Sequence, residues 1–298
     1  MLLRIPIPSY VGVQTPPFVN GGDVLNKGVE ISLGYNTIIF NDISSSISVN
    51  LSHNTNRILK LSNTQAEIFS SYARTTVGEP IGSYYGYEMD GIFQTEDEVS
   101  SHAFQSQGTA PGDVRFMDLN NDGVINQDDR KTIGNPWPKL DYGLNYDLEW
   151  KNLNFSFDLY GVYGNDIIAA WKYFTQGSNF YNYDVVMLNS WNGSGSSNSI
   201  PRLNVNDPND NLRNSSYFIE NGSYLRMKNI QIGYTIPGFL NAFKNAKVYL
   251  SAQNLFTLTN YPGFDPEIGS PSSTISIGID NGNYPQPKSV TVGLSVGF

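Results

Sequence analysis

The sequence predicts an all-β protein, and three observations lead to that prediction. Aromatic residues are abundant, with 19 Tyr, 16 Phe and 4 Trp among 298 residues. Gly and Pro, 28 and 16 residues, accompany many Asn and Ser in long turn-rich stretches, a composition that favours strands over helices. Several segments alternate strictly between apolar and polar residues, the period of a two-faced strand. No segment approaches the roughly 18 consecutive apolar residues of a membrane-spanning helix. This criterion does not detect the alternating strands of a membrane β-barrel.

Residues 141–150, DYGLNYDLEW, form the clearest predicted strand. Every second position is apolar: Tyr142, Leu144, Tyr146, Leu148 and Trp150. A tight turn near Lys151 and Asn152 follows, after which residues 153–161, LNFSFDLYG, repeat the alternation. Two alternating segments joined by so short a turn predict an antiparallel hairpin.

The same alternation recurs at five other segments: 28–35, 43–52, 224–234, 246–256 and 289–298. The first two segments predict a second hairpin, and the next two predict a third. Arg226 and Lys228 interrupt the alternation at the start of that third hairpin. The last segment, SVTVGLSVGF, predicts a strand that ends at Phe298.

The predicted hairpins are separated by long connections, at about residues 57–138, 165–222 and 255–288, whereas the turns inside them are short. Membrane barrels combine short periplasmic turns with long outer loops, and strands of about 9 to 11 residues cross a bilayer at a tilt. The connections therefore favour a transmembrane barrel whose apolar faces, with Tyr146 and Trp150, meet lipid and its interface. On strand pattern alone a soluble β-sandwich fits equally well, for example a calcium-containing glycan-binding or adhesion module.

Composition and motifs exclude several functional classes. The absence of Cys rules out disulfides, thiolate metal sites and a Cys nucleophile. A net charge of -9 without a run of Lys or Arg speaks against a nucleic-acid partner. His53 and His102 lack zinc-type spacing, and no phosphate loop, nucleophile elbow or distinctive carboxylate pair points to an enzyme. The first residues carry no secretory signal.

Residues 118–129, DLNNDGVINQDD, match the ligand spacing of an EF-hand calcium loop. That loop supplies oxygen ligands from positions 1, 3, 5, 7 (a backbone carbonyl), 9 (through water) and 12, with Gly at position 6. The corresponding residues here are Asp118, Asn120, Asp122, Val124, Asn126 and Asp129, with Gly123 at the turn. An Asp replaces the usual Glu at the last position, and Gly134, Pro136 and Pro138 prevent a long helix after the loop.

We therefore expect Ca²⁺ to be bound by Asp118, Asn120, Asp122, Val124 and Asp129, and to staple the long loop of residues 57–138. The alternative is an Asx- and Gly-rich turn without an ion. Against that alternative, the loop crowds several carboxylates that repel one another unless a cation lies between them.

An aromatic cluster precedes this loop, at Tyr84, Tyr85, Tyr87 and Phe93. Such residues can stack on the sugar rings of a glycan substrate near the mouth of a barrel. Aromatic clusters more commonly pack against their own loop, which is the interpretation that the sequence favours here.

Four stretches resemble the C-terminal part of SusC/RagA-like TonB-dependent outer-membrane transporters of the Bacteroidetes type. The longest runs from Gly112 to Ile167, and the others are residues 24–35, 220–237 and 251–268, in the order of the family. Phe298 on its alternating strand resembles the C-terminal signal by which such barrels are assembled. Together these matches span nearly the whole chain.

The resemblance implies that residues 1–298 form about seven or eight antiparallel strands at the C-terminal end of a plugged barrel of the 22-stranded class. The signal peptide, the TonB-contacting segment, the plug domain and the earlier strands would then be missing. An isolated set of strands leaves two open edges, which lipid does not tolerate. We therefore expect a fragment, from a truncated gene model, a broken gene or a deliberately shortened protein.

The same resemblance implies a location in the outer membrane, in contact with its lipid, and import of oligosaccharides or other nutrients. It implies a SusD-like surface lipoprotein as partner, contact with TonB through the missing N-terminal region, and a glycan or a peptide as substrate. Transport of this kind needs no covalent chemistry, so no residue is expected to be catalytic.

Overall fold

The computed structural model describes residues 2–4, 18–40, 42–61, 67–177, 181–237, 245–268 and 275–297. Its strands are β1 (Leu2–Arg4), β2 (Phe18–Asn20), β3 (Gly22–Ile39), β4 (Ile43–Leu61), β5 (Glu67–Phe69), β6 (Ala73–Thr76), β7 (Ser83–Tyr87), β8 (Met89–Ile92), β9 (Val114–Phe116), β10 (Arg130–Gly134), β11 (Leu140–Trp150), β12 (Leu153–Tyr163), β13 (Asp166–Ala169), β14 (Ile219–Asn221), β15 (Tyr224–Pro237), β16 (Asn245–Gln253), β17 (Thr257–Thr259), β18 (Ile279–Asp280) and β19 (Ser289–Gly297). One short α-helix, α1 (Glu96–Ser101), lies between β8 and β9.

Seven of these strands form one antiparallel sheet, in the order β3, β4, β11, β12, β15, β16 and β19. Strand β17 also pairs with β15, next to the segment of β15 that pairs with β16. Spatial neighbours are therefore neighbours in the chain as well, which is the path of an up-and-down barrel. The three predicted hairpins and the last strand are confirmed, although β3 and β4 are 18 and 19 residues long, longer than expected. Phe298 lies outside the described residues.

The sheet has one apolar and one polar face. A single row across it contains apolar residues from end to end: Tyr35, Ile47, Tyr146, Phe157, Ile230, Ala252 and Val290. The adjacent row lies on the opposite face. It begins with a glycine and is otherwise polar: Gly34, Ser48, Asn145, Asp158, Asn229, Gln253 and Ser289. Because successive side chains of a strand point to opposite faces, this register places the two rows on opposite faces of the sheet.

The apolar face is exposed and is not the inner layer of a sandwich. Leu33 is 65% exposed and Val292 is 75% exposed, and both lie on this face. A sandwich buries such residues against a second sheet, so the alternative of a soluble sandwich is wrong. Among the described residues, β3 and β19 end the sheet without pairing to each other, so the sheet is open.

All long connections leave the same end of the sheet, because strand direction alternates along it. We call residues 62–139 the first connection, residues 164–223 the second and residues 254–288 the third, and the three together the cap. The connections that follow β3, β11 and β15, at the other end, are short. The unequal connections predicted from the sequence are therefore present.

The cap is one packed body built from all three connections. Strand β13 of the second connection pairs antiparallel with β14 and parallel with β18 of the third connection. One buried apolar cluster draws on all three connections: Ala73, Tyr84, Ile168, Ala170, Tyr217, Phe218 and Ile279. The Tyr84 hydroxyl lies 2.9 Å from the carbonyl oxygen of Gly278 and 3.1 Å from that of Asp166. These contacts hold the connections above one end of the sheet.

No helix within the described residues is long and apolar enough to cross a membrane.

Candidate functional site

The loop of residues 118–129 lies in the first connection, between β9 and β10, and its turn is built by Asp118. One carboxylate oxygen of Asp118 accepts the backbone N–H of Asn121 at 2.7 Å, and the other accepts that of Gly123 at 2.9 Å. Gly123 has φ +82°, a left-handed conformation that favours glycine. The glycine of the calcium-loop pattern is therefore required by the backbone itself.

Asp122 lies at the exposed tip of the loop and bonds to its neighbours on both sides. Its Oδ1 accepts the backbone N–H of Val124 at 2.9 Å, and its Oδ2 accepts the side-chain amide of Asn120 at 2.9 Å. The N–H of Val124, more than the amide of Asn120, holds the pKa of Asp122 below its ordinary value. Asp122 is thus an anion that its own loop stabilises.

Asp129 is fully buried and joins the two ends of the loop. Its Oδ1 accepts the N–H of Leu119 at 2.9 Å, and its Oδ2 accepts the N–H of Asn126 at 2.8 Å. The Asn126 side chain in turn accepts the N–H of Asp128 at 2.8 Å. Asn126 and Asp129 thus form a capping box around the short 3-10 helix of residues 127–129.

The structure brings Asn120 and Asp122 into direct contact, whereas Asp118 bonds backbone N–H groups of the same turn. The Val124 carbonyl lies 3.4 Å from the side-chain amide of Asn126, and Asp129 joins the two ends of the loop. Backbone and side-chain amide N–H groups donate hydrogen bonds to these carboxylates, and these bonds offset the repulsion expected from the crowded negative charges. The donor set is all oxygen, the chemistry that Ca²⁺ prefers. Within the described ranges, no three His, Cys, Asp or Glu residues are grouped as a metal site. The calcium site therefore stays a prediction.

The aromatic cluster of the first connection packs against the cap. Tyr84 and Phe93 are 0% and 1% exposed, so neither presents a ring face to a sugar. Tyr85 lies under the guanidinium of Arg74, 4.1 Å from its ring centroid, and contacts Phe69. Packing, which the sequence favoured for this cluster, is thus what the structure shows for these rings.

Sequence reasoning missed a charged cluster where the cap joins the sheet. Arg226 of β15 is 2% exposed and bonds Asp265 at 2.5 Å and Glu267 at 2.6 Å. Lys228, two residues further along the strand, bonds the same Glu267 at 2.7 Å. The signal was present in the sequence, because Arg226 and Lys228 are the residues that interrupt the alternation of the third hairpin.

A register shift explains the interruption. The pairing of β12 with β15 slips after Asp158: Asp158 pairs with Asn229, whereas Leu159 pairs with Met227. Lys228 is therefore the extra residue of a β-bulge. Bulges redirect side chains at the rims of barrels, and this one lies near the cap end of the strand.

The polar face carries a broad hollow of about 750 Å³. Five strands contribute polar residues to its lining: Glu30, Asn50, Asp141, Asn145, Asp158 and Lys228. Several of these are linked across strands; for example, Asn145 donates to Asp158 at 2.6 Å. A hydrogen-bonded polar surface of this kind suits the water-filled interior of a barrel.

Comparison with known proteins finds related sequences and a shared fold. No family model matches the chain. TonB-dependent receptor P3 of Formosa agariphila is 34% identical over 316 residues, which cover 100% of this chain and 31% of the relative. TonB-dependent receptor SusC of Bacteroides thetaiotaomicron is 28% identical over 309 residues, which cover 99% of this chain and 28% of the relative.

Among solved structures, the RagAB peptide transporter matches with a TM-score of 0.79 and 24% identity, over 100% of this chain and 32% of that one. The RagAB peptide importer in the open-open state matches with a TM-score of 0.77 and 25% identity, over 100% of this chain and 31% of that one. This chain thus spans about a third of the length of the proteins it resembles. Its strands follow the barrel fold of those structures.

Proposed function

Because the chain belongs to the SusC/RagA-like family of TonB-dependent receptors, we propose that it supplies the C-terminal strands of an outer-membrane barrel that imports a nutrient. The complete barrel belongs to the 22-stranded class with a plugged lumen. In this assignment residues 1–298 are one unit of that barrel, and the cap, residues 62–139, 164–223 and 254–288, lies outside the cell.

One observation carries this proposal: the seven-stranded sheet separates an exposed apolar face from a hydrogen-bonded polar face. Val29, Leu33 and Val292 leave more than half of their surface uncovered, at 61%, 65% and 75%. An exposed apolar band is costly in water and favourable in lipid. The polar face then lines the lumen, and the open edges at β3 and β19 receive the remaining strands of the barrel.

The whole receptor, rather than this part alone, carries the transport activity that we propose. A SusD-like surface lipoprotein covers the cap, and TonB contacts a region that precedes residue 1. The substrate is a glycan or a peptide; the name of one solved relative, a peptide transporter, supports the choice of a peptide. Import proceeds by binding and release, without a catalytic residue.

We also propose that Ca²⁺ binds the loop of residues 118–129 in the assembled receptor. Asp118, Asn120 and Asp122 would supply side-chain oxygens, Val124 its carbonyl and Asp129 the last carboxylate. The left-handed turn at Gly123 and the hydrogen bonds between Asn120 and Asp122 support this proposal. The ion would stiffen the first connection above the lumen.

Location tests the main proposal directly. The full-length receptor is expressed in a Gram-negative host and located by membrane fractionation. Its migration in gel electrophoresis with detergent is compared before and after heating. We expect the protein in the outer-membrane fraction, with the heat-dependent migration of a folded barrel. Recovery in a soluble fraction without detergent would contradict the proposal.

A further inference from the structure

A small aromatic hollow lies in the cap, at the seam between the second and third connections. Its volume is about 290 Å³, and its walls are Trp171 and Phe174 of the second connection and Phe264 of the third. Phe264 is 76% exposed and Phe174 is 38% exposed. Phe264 and Phe174 are therefore open to solvent, unlike the buried Tyr84 and Phe93 of the first connection. Phe174 also contacts Tyr173 and Tyr181, each at a ring-centroid distance of 5.5 Å.

The floor of the hollow is fixed by a chain of hydrogen bonds. The indole N–H of Trp171 donates to the Tyr261 hydroxyl at 3.2 Å, which donates to Asp280 Oδ2 at 2.6 Å. Asp280 Oδ1 accepts the backbone N–H groups of Gly282 and Asn283 at 2.8 Å each. Burial raises the pKa of Tyr261 above its ordinary value, so its hydroxyl keeps the proton that it donates.

This arrangement orients the Trp171 ring before any ligand arrives. Tyr261 and Asp280 are 5% and 1% exposed, so their bonds are shielded from water. Pockets that bind small molecules are usually preformed in this manner, with apolar walls and a few placed polar groups. The same bonds fix the turn that brings Asn281 and Gly282 to the hollow.

The rim supplies polar groups beside the aromatic walls. Thr175, Asp184 and Asn281 line the hollow together with its rings, and Asp184 is the one charged side chain among these described lining residues. Asp184 Oδ1 accepts the N–H of Val186 at 3.1 Å and caps a short 3-10 helix, Val185–Asn189. One carboxylate oxygen already has a partner, and the charge of the rim is negative.

A larger polar hollow of about 640 Å³ adjoins the aromatic one and shares Trp171, Asp184 and Pro262 with it. Asn198 and Ser199 contribute polar side chains to this second hollow. A ligand that fills the aromatic hollow can therefore continue across the cap surface. This continuity suits an oligomer better than a single small molecule.

We propose that the aromatic hollow binds one unit of a neutral oligosaccharide, a choice of substrate class that rests on the proposed import function. A sugar ring presents weakly positive C–H groups on its faces and hydroxyl groups at its edge. The faces suit the negative faces of Trp171 and Phe264, and the hydroxyls suit Asp184 and Asn281. Asp184 and the net charge of -9 repel anionic sugars.

The test uses the full-length receptor, purified in detergent with its lipoprotein partner if one co-purifies. Cellohexaose, mannohexaose and maltohexaose serve as neutral probes, an oligogalacturonide as the anionic probe and hexa-alanine as the peptide probe, all in titration calorimetry. We expect at least one neutral probe to bind, and Phe264→Ala to weaken that binding roughly tenfold, the effect of losing one stacked ring. Tyr284→Ala removes an aromatic ring that is 92% exposed and lies outside the hollow, and it should leave binding unchanged.

A second variant tests the charge of the rim. Asp184→Asn keeps a side chain able to cap the helix at Val186 but removes the negative charge. We expect this variant to bind the oligogalacturonide more tightly, with little change for the neutral probe. Heat-dependent migration confirms that every variant forms a folded barrel.

Three results overturn the proposal: no binding of any neutral probe, binding that Phe264→Ala and Phe174→Ala leave unchanged, or binding of hexa-alanine in place of sugars. Each of these leaves the proposed import function standing as long as the receptor is found in the outer membrane. Recovery of the receptor as a soluble protein would instead contradict the proposed function itself.

Discussion

The guanidinium of Arg226 lies 2.5 Å from the carboxylate of Asp265, in a position where the Arg226 side chain is 2% exposed. The same guanidinium bonds Glu267 at 2.6 Å and the Thr257 hydroxyl at 2.8 Å. All three partners belong to the third connection, whereas Arg226 belongs to β15. This buried cluster therefore fastens the third connection to the sheet.

Replacing Arg226 should loosen the third connection. Arg226→Met leaves Asp265 and Glu267 without their buried partner, and breaking a buried pair from one side typically costs about 3 to 5 kcal/mol. The measurement is the rate at which a protease cuts the third connection in the folded receptor, which reports local opening. The control is Arg115→Met, which breaks a more exposed pair with Asp90 and should cost no more than about 1 kcal/mol. Equal cleavage rates in the two variants would contradict the assignment.

The Tyr84 hydroxyl should stabilise the packing of the cap. It lies within 3.1 Å of three carbonyl oxygens, those of Asp166, Ile277 and Gly278. Tyr84→Phe keeps the ring and removes the hydrogen-bond donor, so we expect the free energy of opening the cap to fall by about 1 to 3 kcal/mol. Hydrogen exchange at the amides of β13 and β18 measures that loss. Tyr284→Phe alters an exposed ring and should change no exchange rate; unchanged exchange in Tyr84→Phe too would refute the role.

Asp166 should make the cap less stable as pH rises. Burial raises the pKa of Asp166, against the opposing effects of the Asn135 N–H and of Lys139. A carboxyl whose pKa is higher in the folded state contributes stability below its unfolded pKa, and that contribution is lost as pH rises through the folded pKa. Asp166→Asn should therefore raise the midpoint of thermal unfolding at neutral pH and not at acidic pH. Parallel curves of midpoint against pH for the two proteins would exclude this role.

The calcium proposal is tested at Asp122. In the full-length receptor, Asp122→Ala should abolish one calcium-binding event in titration and make residues 118–129 easier for a protease to cut, because an oxygen ligand is lost. Asp97→Ala on α1, outside the loop, serves as the control. If calcium uptake and protease resistance both survive in Asp122→Ala, the loop is an Asx- and Gly-rich turn without an ion.

The sheet was predictable because its signal is local. Each strand of β11 and β12 carries its alternation within about ten residues, and a two-residue turn at Lys151 and Asn152 fixes the register between them. The alternation of β15 and β16 is equally local, although seven residues, 238–244, separate these two strands. The exposed apolar face follows from that alternation once the long connections are assigned to one end.

The cap was not predictable in the same way, because its contacts join distant parts of the chain. Strand β13 pairs with β18 from another connection, and Tyr84 reaches Gly278. No periodicity marks such pairs. The aromatic hollow of Trp171 and Phe264 shows the consequence: the sequence drew attention to the contiguous aromatics near Tyr84, whereas the exposed rings meet only after folding.

Lipid contact along one face of β19 is the most direct test of the account. Single cysteines are introduced at Val292 and Thr291, neighbouring residues that point to opposite faces, in a full-length receptor from which any other cysteine is removed. The receptor is reconstituted in vesicles. A fluorophore at residue 292 should be quenched by brominated lipid, and a fluorophore at residue 291 by a water-soluble quencher, because alternate residues of a barrel strand face lipid and lumen. Equal quenching of both positions from water would contradict a membrane barrel.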